Sequence, residues 1–165
     1  MPSGYRLIIG SPAATTLYMQ RLLVRLAVHG RVRWLMCGNF FNIQRLIYDV
    51  ALQAGATYYE VLENNIAISR AETCYQVIGL LRKSEAAKTP TFISDLLVQF
   101  YDEKIHDDEA IELFDEGIQL INQLSLAGPV IVSASGSTER SQLYTMLLHN
   151  ADRITRIGGD ANHGS

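Results

Sequence analysis

Gly10-Ser11-Pro12-Ala13-Ala14-Thr15-Thr16-Leu17 follows the apolar run Tyr5 to Ile9 and precedes an amphipathic stretch, the position at which an α/β chain carries its phosphate-binding loop. That loop, Gly-x-x-x-x-Gly-Lys-Ser/Thr, closes backbone N–H groups on the phosphates, neutralises charge with its lysine and holds Mg²⁺ with its hydroxyl. Here Thr15, Thr16 and Leu17 stand in the last three positions, so the place is kept and the lysine is missing. Gly10, Ser11, Thr15 and Thr16 remain candidates for binding a nucleotide or another anion, since a helix N-terminus attracts phosphate without help from lysine. The same hydroxyls also suit an ordinary N-cap, and Pro12 removes one N–H from the cradle.

Asp95 ends the apolar run Thr91-Phe92-Ile93-Ser94. A carboxylate there can hold Mg²⁺ or its waters, making Asp95 the candidate metal ligand; capping a turn is the alternative. Arg31 and Arg33 are candidate contacts to DNA because they alternate with Val32 and Trp34 along one predicted strand, with a solvated or salt-bridged face as the competing reading. His106 lies beside the acidic run Asp107-Asp108-Glu109, which reads as a helix start. Ser133, Ser135 and Ser137 lack the Gly-x-Ser-x-Gly elbow of a nucleophile.

These residues need a scaffold, and the chain supplies one by alternating short apolar runs with helical patterns. Strands are predicted at 5–9, 31–36, 65–69, 91–95, 129–134 and 152–157. Ile43, Leu46, Ile47, Val50, Ala51 and Ala54 repeat at helical spacing between Asn42 as N-cap and Gly55 as stop. Met19, Leu22, Leu23 and Leu26 make the stripe of an earlier helix. Cys74, Val77, Ile78 and Leu81 mark a third, and a fourth is predicted over about 108–125 with Ile111, Phe114, Ile118 and Ile121 inward. Residues 84–90 read as a polar connection, and 158–165 as a frayed tail after a single α/β domain over 1–157. In such a sheet, ligands bind where loops gather at the strands' carboxyl ends.

The chain has 165 residues, 48% of them hydrophobic and 19% charged, which allows one substantial core and suits a buried parallel sheet. A net charge of −3 argues against general polyanion binding. Cys37 and Cys74, the only cysteines, build neither a disulfide framework nor a four-ligand zinc site, which fits a reducing cytoplasm. No apolar run reaches the length of a membrane span, and no signal peptide is visible, so no membrane association is expected.

Ile68-Ser69-Arg70-Ala71 followed by a helix with Tyr75-Gln76 and Leu80-Leu81, then Phe92-Ile93-Ser94-Asp95-Leu96 leading to Phe100-Tyr101-Asp102-Glu103, resembles the core of the RecA/RadA recombinase ATPases. The resemblance spans about 5–157 and implies a three-layer α/β/α P-loop NTPase fold with a mostly parallel sheet. It implies ATP and Mg²⁺ as cofactors, Asp95 as the Walker B-like carboxylate, and single-stranded DNA bound by the mobile loop Ser135 to Arg140. The departures fall on the family's catalytic groups. Gly38 stands where its glutamate polarises water, and Ala134-Ser135 replace its Asn-Gln γ-phosphate sensor. Its N-terminal DNA-binding and polymerisation segments have no counterpart.

The leading expectation is therefore a non-catalytic RecA-fold protein, related to recombination and DNA-repair ATPases, that acts by binding a protein partner, itself or DNA. The alternative is a divergent DNA-stimulated ATPase in which Asp95 holds Mg²⁺ and a partner subunit supplies the missing charge. An unrelated α/β binding or regulatory module is the third reading.

Overall fold

The computed structural model describes residues 4–39, 41–136 and 139–158. Six strands form one all-parallel sheet: β1 (Arg6–Ile9), β2 (Val32–Met36), β3 (Ile66–Arg70), β4 (Thr91–Ser94), β5 (Val130–Ala134) and β6 (Arg153–Arg156), in the order β3-β2-β4-β5-β1-β6. All six lie where the apolar runs predict them. The longer helices are α1 (Pro12–Ala27), α2 (Ile43–Ala54), α4 (Cys74–Lys83), α5 (Asp107–Ala127) and α6 (Ser141–Asn150), with a short turn of helix, α3 (Tyr58–Glu60), between α2 and β3.

Local chemistry accounts for most of these boundaries. Ser11 caps α1, accepting from the Ala14 N–H at 3.3 Å with Pro12 in the first turn. Asn42 and Thr73 cap α2 and α4 in the same way, and three acidic residues begin α5 at the positive end of its dipole. Helix α6 is the element that the strand-centred sequence reading leaves out. Its signal is the inward pair Leu143 and Leu147 at i, i+4.

The layers follow from the strand order. Crossovers running from β1 to β2 and on to β3 go one way across the sheet, and those from β3 through β4 and β5 to β6 go the other way. A single crossover hand then requires the two sets of helices to lie on opposite faces. Accordingly Ile8, Trp34, Met36, Phe92 and Ile131 pack with α1 and α2, whereas Leu7, Leu35, Ile93, Val130 and Val132 pack with α4, α5 and α6. The result is a three-layer α/β/α arrangement consistent with a RecA-like fold.

The two layers are filled unequally. The α4–α6 layer holds the edge-to-face pair Phe100–Phe114, with ring centroids 5.1 Å apart and Phe114 buried. On the other face, α2 buries only Leu46 and Val50; Ile43 and Ile47, which belong to its predicted core stripe, are 50% and 38% exposed. Truncating Phe114→Ala should therefore lower the unfolding free energy by about 3–5 kcal/mol, as measured by denaturant titration, whereas Ile43→Ala should change it by less than about 1 kcal/mol.

Candidate functional site

The strand order reverses its sense of winding at two places, between β1 and β5 and between β2 and β4. Crevices at the carboxyl ends of such strands are where an open sheet binds ligands. In this protein both are closed by direct contacts.

At β1/β5, the Gly10 N–H donates to the Ala134 carbonyl at 3.4 Å, and Ser11 is already the helix cap, so the connection is a two-residue turn and not a wide loop. The Thr15 N–H donates to the Ser11 carbonyl as in any first helical turn. Thr15 is buried, and its hydroxyl donates to the Pro12 carbonyl at 3.2 Å. The strand β6 continuation presses on the same turn: a methyl group on Gly10 would lie 2.5 Å from the Ile157 carbonyl oxygen, and the Ile157 N–H donates to Ile9. Of the four candidate anion ligands, Ser11 is exposed as the helix cap and Thr16 faces a cleft. This cleft, of about 410 Å³, is also lined by Gln20, Asn39, Phe41, Asn42 and Arg45, where Gln20 and Arg45 both hold the Asp49 carboxylate.

At β2/β4, Asp95 takes a left-handed backbone conformation (φ 56°) that turns its side chain in toward β2. Its N–H donates to Ser133 Oγ at 2.8 Å, while the Leu96 N–H takes the Ser133 carbonyl at 3.0 Å, so one serine fastens the end of β4 to β5. The carboxyl group packs on Gly38: a Cβ there would lie 2.7 Å from Asp95 Cβ and 2.8 Å from Cγ, and closer still to Oδ2. Gln99 closes the far side by donating to the Cys37 carbonyl at 2.7 Å. Burial pushes the Asp95 carboxyl above its ordinary value, and burial, with the nearby Asp95 charge, raises the Cys37 thiol.

Thr16, Trp34, Gly38, Phe41 and Asp95 border one gap of about 10 Å³. That gap has the size of one water. Mg²⁺ keeps an octahedral shell with several waters, and Asp95 packed on Gly38 does not fit that requirement. Among the described residues no group of three or more His, Cys, Asp or Glu side chains forms a metal-binding cluster.

The arginines separate. Arg140, also left-handed (φ 46°), pairs with Asp107 at 2.9 Å and donates to the carbonyls of Phe100, Asp102 and Ile105, leaving its side chain 12% exposed. It clasps the connection between β4 and α5; Ser137 and Thr138 of the same predicted DNA loop lie outside the described residues. Arg33 donates to Thr91 Oγ1 at 3.0 Å and to the Glu85 carbonyl at 2.8 Å, tying down the predicted polar connection. Arg31 is exposed at the start of β2, at the end of the sheet opposite Arg140.

Sequence reading weighed Ser133 only as a nucleophile and gave Gln99 no role, whereas their polar side chains lock the strand ends. The available signal was Ser133 as the one hydroxyl in the otherwise apolar β5 run Val130 to Ala134. No protein-family model matches the chain, and a search of the curated proteins returns no match.

Two outcomes follow from this packing. Gly38→Ala should destabilise the fold by about 1–3 kcal/mol through overpacking, and the loss should shrink in an Asp95→Gly background, where glycine also suits the positive φ; a denaturant double-mutant cycle reads the coupling. Because the folded state holds the Asp95 proton more tightly than the unfolded chain does, its contribution to stability falls as pH rises through and above 3.8. Asp95→Asn should accordingly raise the melting temperature at pH 7 relative to the parent, with the difference fading as pH drops below that value.

Proposed function

We propose that the protein is a non-catalytic RecA-like module, related to recombination and DNA-repair ATPases, that works by protein association, with a second copy of itself as the occupant to which we commit. The observation that carries this reading is the distribution of exposed apolar side chains. Of the twelve large ones among the described residues, seven (Ile43, Ile47, Tyr48, Leu52, Tyr58, Tyr59 and Ile68) fall between residues 43 and 68, on α2, α3 and β3. Exposed apolar side chains concentrated in one segment of the chain are a feature of interaction sites.

The second copy is favoured by β3 itself. It is an edge strand whose last four residues are exposed, with a single charge, Arg70, and no proline to discourage pairing. A two-fold axis beside β3 pairs it with its symmetry mate and sets the apolar segments leading into it against each other.

Against phosphoryl transfer stand the two-residue turn at Gly10, the absent lysine, Gly38 in place of a general base and the packed Asp95, since that chemistry depends on positioned charge. That Thr16 and Asp95 border one gap is the observation favouring the alternative, a divergent DNA-stimulated ATPase completed by a partner subunit. For DNA, Arg140 and Arg33 are engaged inside the protein, which favours protein partners over single strands. Two buried free cysteines and the absence, among the described residues, of a helix long and apolar enough to cross a membrane support a cytoplasmic setting.

Sedimentation equilibrium should show a concentration-dependent dimer that Leu52→Glu abolishes while leaving the melting temperature within a few degrees. ATP hydrolysis should stay at background with and without single-stranded DNA. A strict monomer at every concentration would overturn the association, and turnover abolished by Asp95→Asn would overturn the non-catalytic reading.

A further inference from the structure

A cavity lies at the opposite end of the sheet from the strand-end crevices. It measures about 520 Å³ and is bounded by Arg6 of β1, Arg153 of β6, Ile131 of β5 and the turn from Leu126 to Pro129 at the end of α5. A volume of this size matches sites for small organic ligands, roughly 300–1,000 Å³.

Arg6 stands between Ile131 and Arg153 in the parallel register. Register partners on neighbouring strands project to one face and lie about 5 Å apart, so the two arginines leave the sheet from adjacent positions on the same face and both border the cavity. Ile8 and Ile131 pack against the α1 layer, which fixes the face. Arg6 Nη2 donates to the Tyr18 hydroxyl at 3.1 Å, which holds the group in place. Its Nε is buried and has no hydrogen-bond partner, and neither arginine forms an ion pair among the described residues. Buried donors are almost always satisfied, so an orphaned guanidinium N–H beside a second arginine calls for an acceptor.

From this we infer that the cavity is a binding site for a monoanionic carboxylate with an apolar body. Paired arginines present planar forks that match carboxylate geometry. Leu126, Pro129 and Ile131 offer the apolar wall, and Leu126, 69% exposed, stands at the rim. The Asp152 carboxylate borders the same cavity, and α5 ends there with its negative dipole pole. With two arginines against one aspartate, a single negative charge is balanced, whereas the further charges of a polyphosphate would have no counterpart.

Octanoate is a suitable probe, with 1-octanol as the uncharged counterpart and inorganic phosphate as the anion without an apolar body. Titration of the full chain followed by amide NMR should give saturable octanoate shifts around residues 4–6, 126–131 and 152–153. Arg153→Gln, an exposed position, should weaken binding at least about 10-fold, the loss expected for a charged hydrogen bond, whereas Arg156→Gln, three residues along the same strand and outside the cavity, should leave it unchanged. Equal affinity for octanol, tighter binding of phosphate, no effect of Arg153→Gln with an unchanged melting temperature, or no shifts at millimolar octanoate would each overturn the assignment.

Discussion

The contact between the Asp95 carboxyl and Gly38 is the constraint on which the carboxyl end of the sheet depends. A parallel sheet splays its connections apart at a reversal of winding, and that splay is what normally leaves a crevice. Here the left-handed turn at Asp95 folds the side chain back into the opening, and a residue without a Cβ lets it enter. Ser133 and Gln99 then tie the ends of β2, β3, β4 and β5 together through four hydrogen bonds to strand-end groups. An acid placed where a metal ligand would stand thereby becomes a packing element with its proton held more firmly than in water.

The same conversion from ligand chemistry to internal packing recurs in the arginines. Arg140 and Arg33 each replace solvent by backbone carbonyls of an irregular connection, 100–105 in one case and 85–90 in the other. Such segments have no ladder to satisfy their carbonyls, and a guanidinium fork can serve several at once. Polar groups on this chain thus hold its own loops.

The two layers differ in how they close. The α4–α6 layer is closed by three helices and an aromatic pair, while the α1–α2 layer covers the sheet with two helices, the second of which buries little of its apolar stripe. Helical spacing of Ile43, Leu46, Ile47 and Val50 states that one face is apolar; it cannot state what covers that face. Leu46 and Val50 meet the sheet, whereas Ile43 and Ile47 roll outward because α2 lies toward the β3 edge, where the sheet ends.

Local patterns by themselves determined the alternation of strands and helices, the caps at Ser11, Asn42 and Thr73, and the candidate positions Gly10 to Thr16 and Asp95, because hydrophobic period and capping are properties of neighbours in the chain. Tertiary structure alone decided the strand order, the closing of both crevices, the internal anchoring of Arg33 and Arg140, and the meeting of Arg6 with Arg153. Those outcomes join residues scores of positions apart, and whether a charge faces water, a carbonyl or another charge depends on which strands the crossovers bring together.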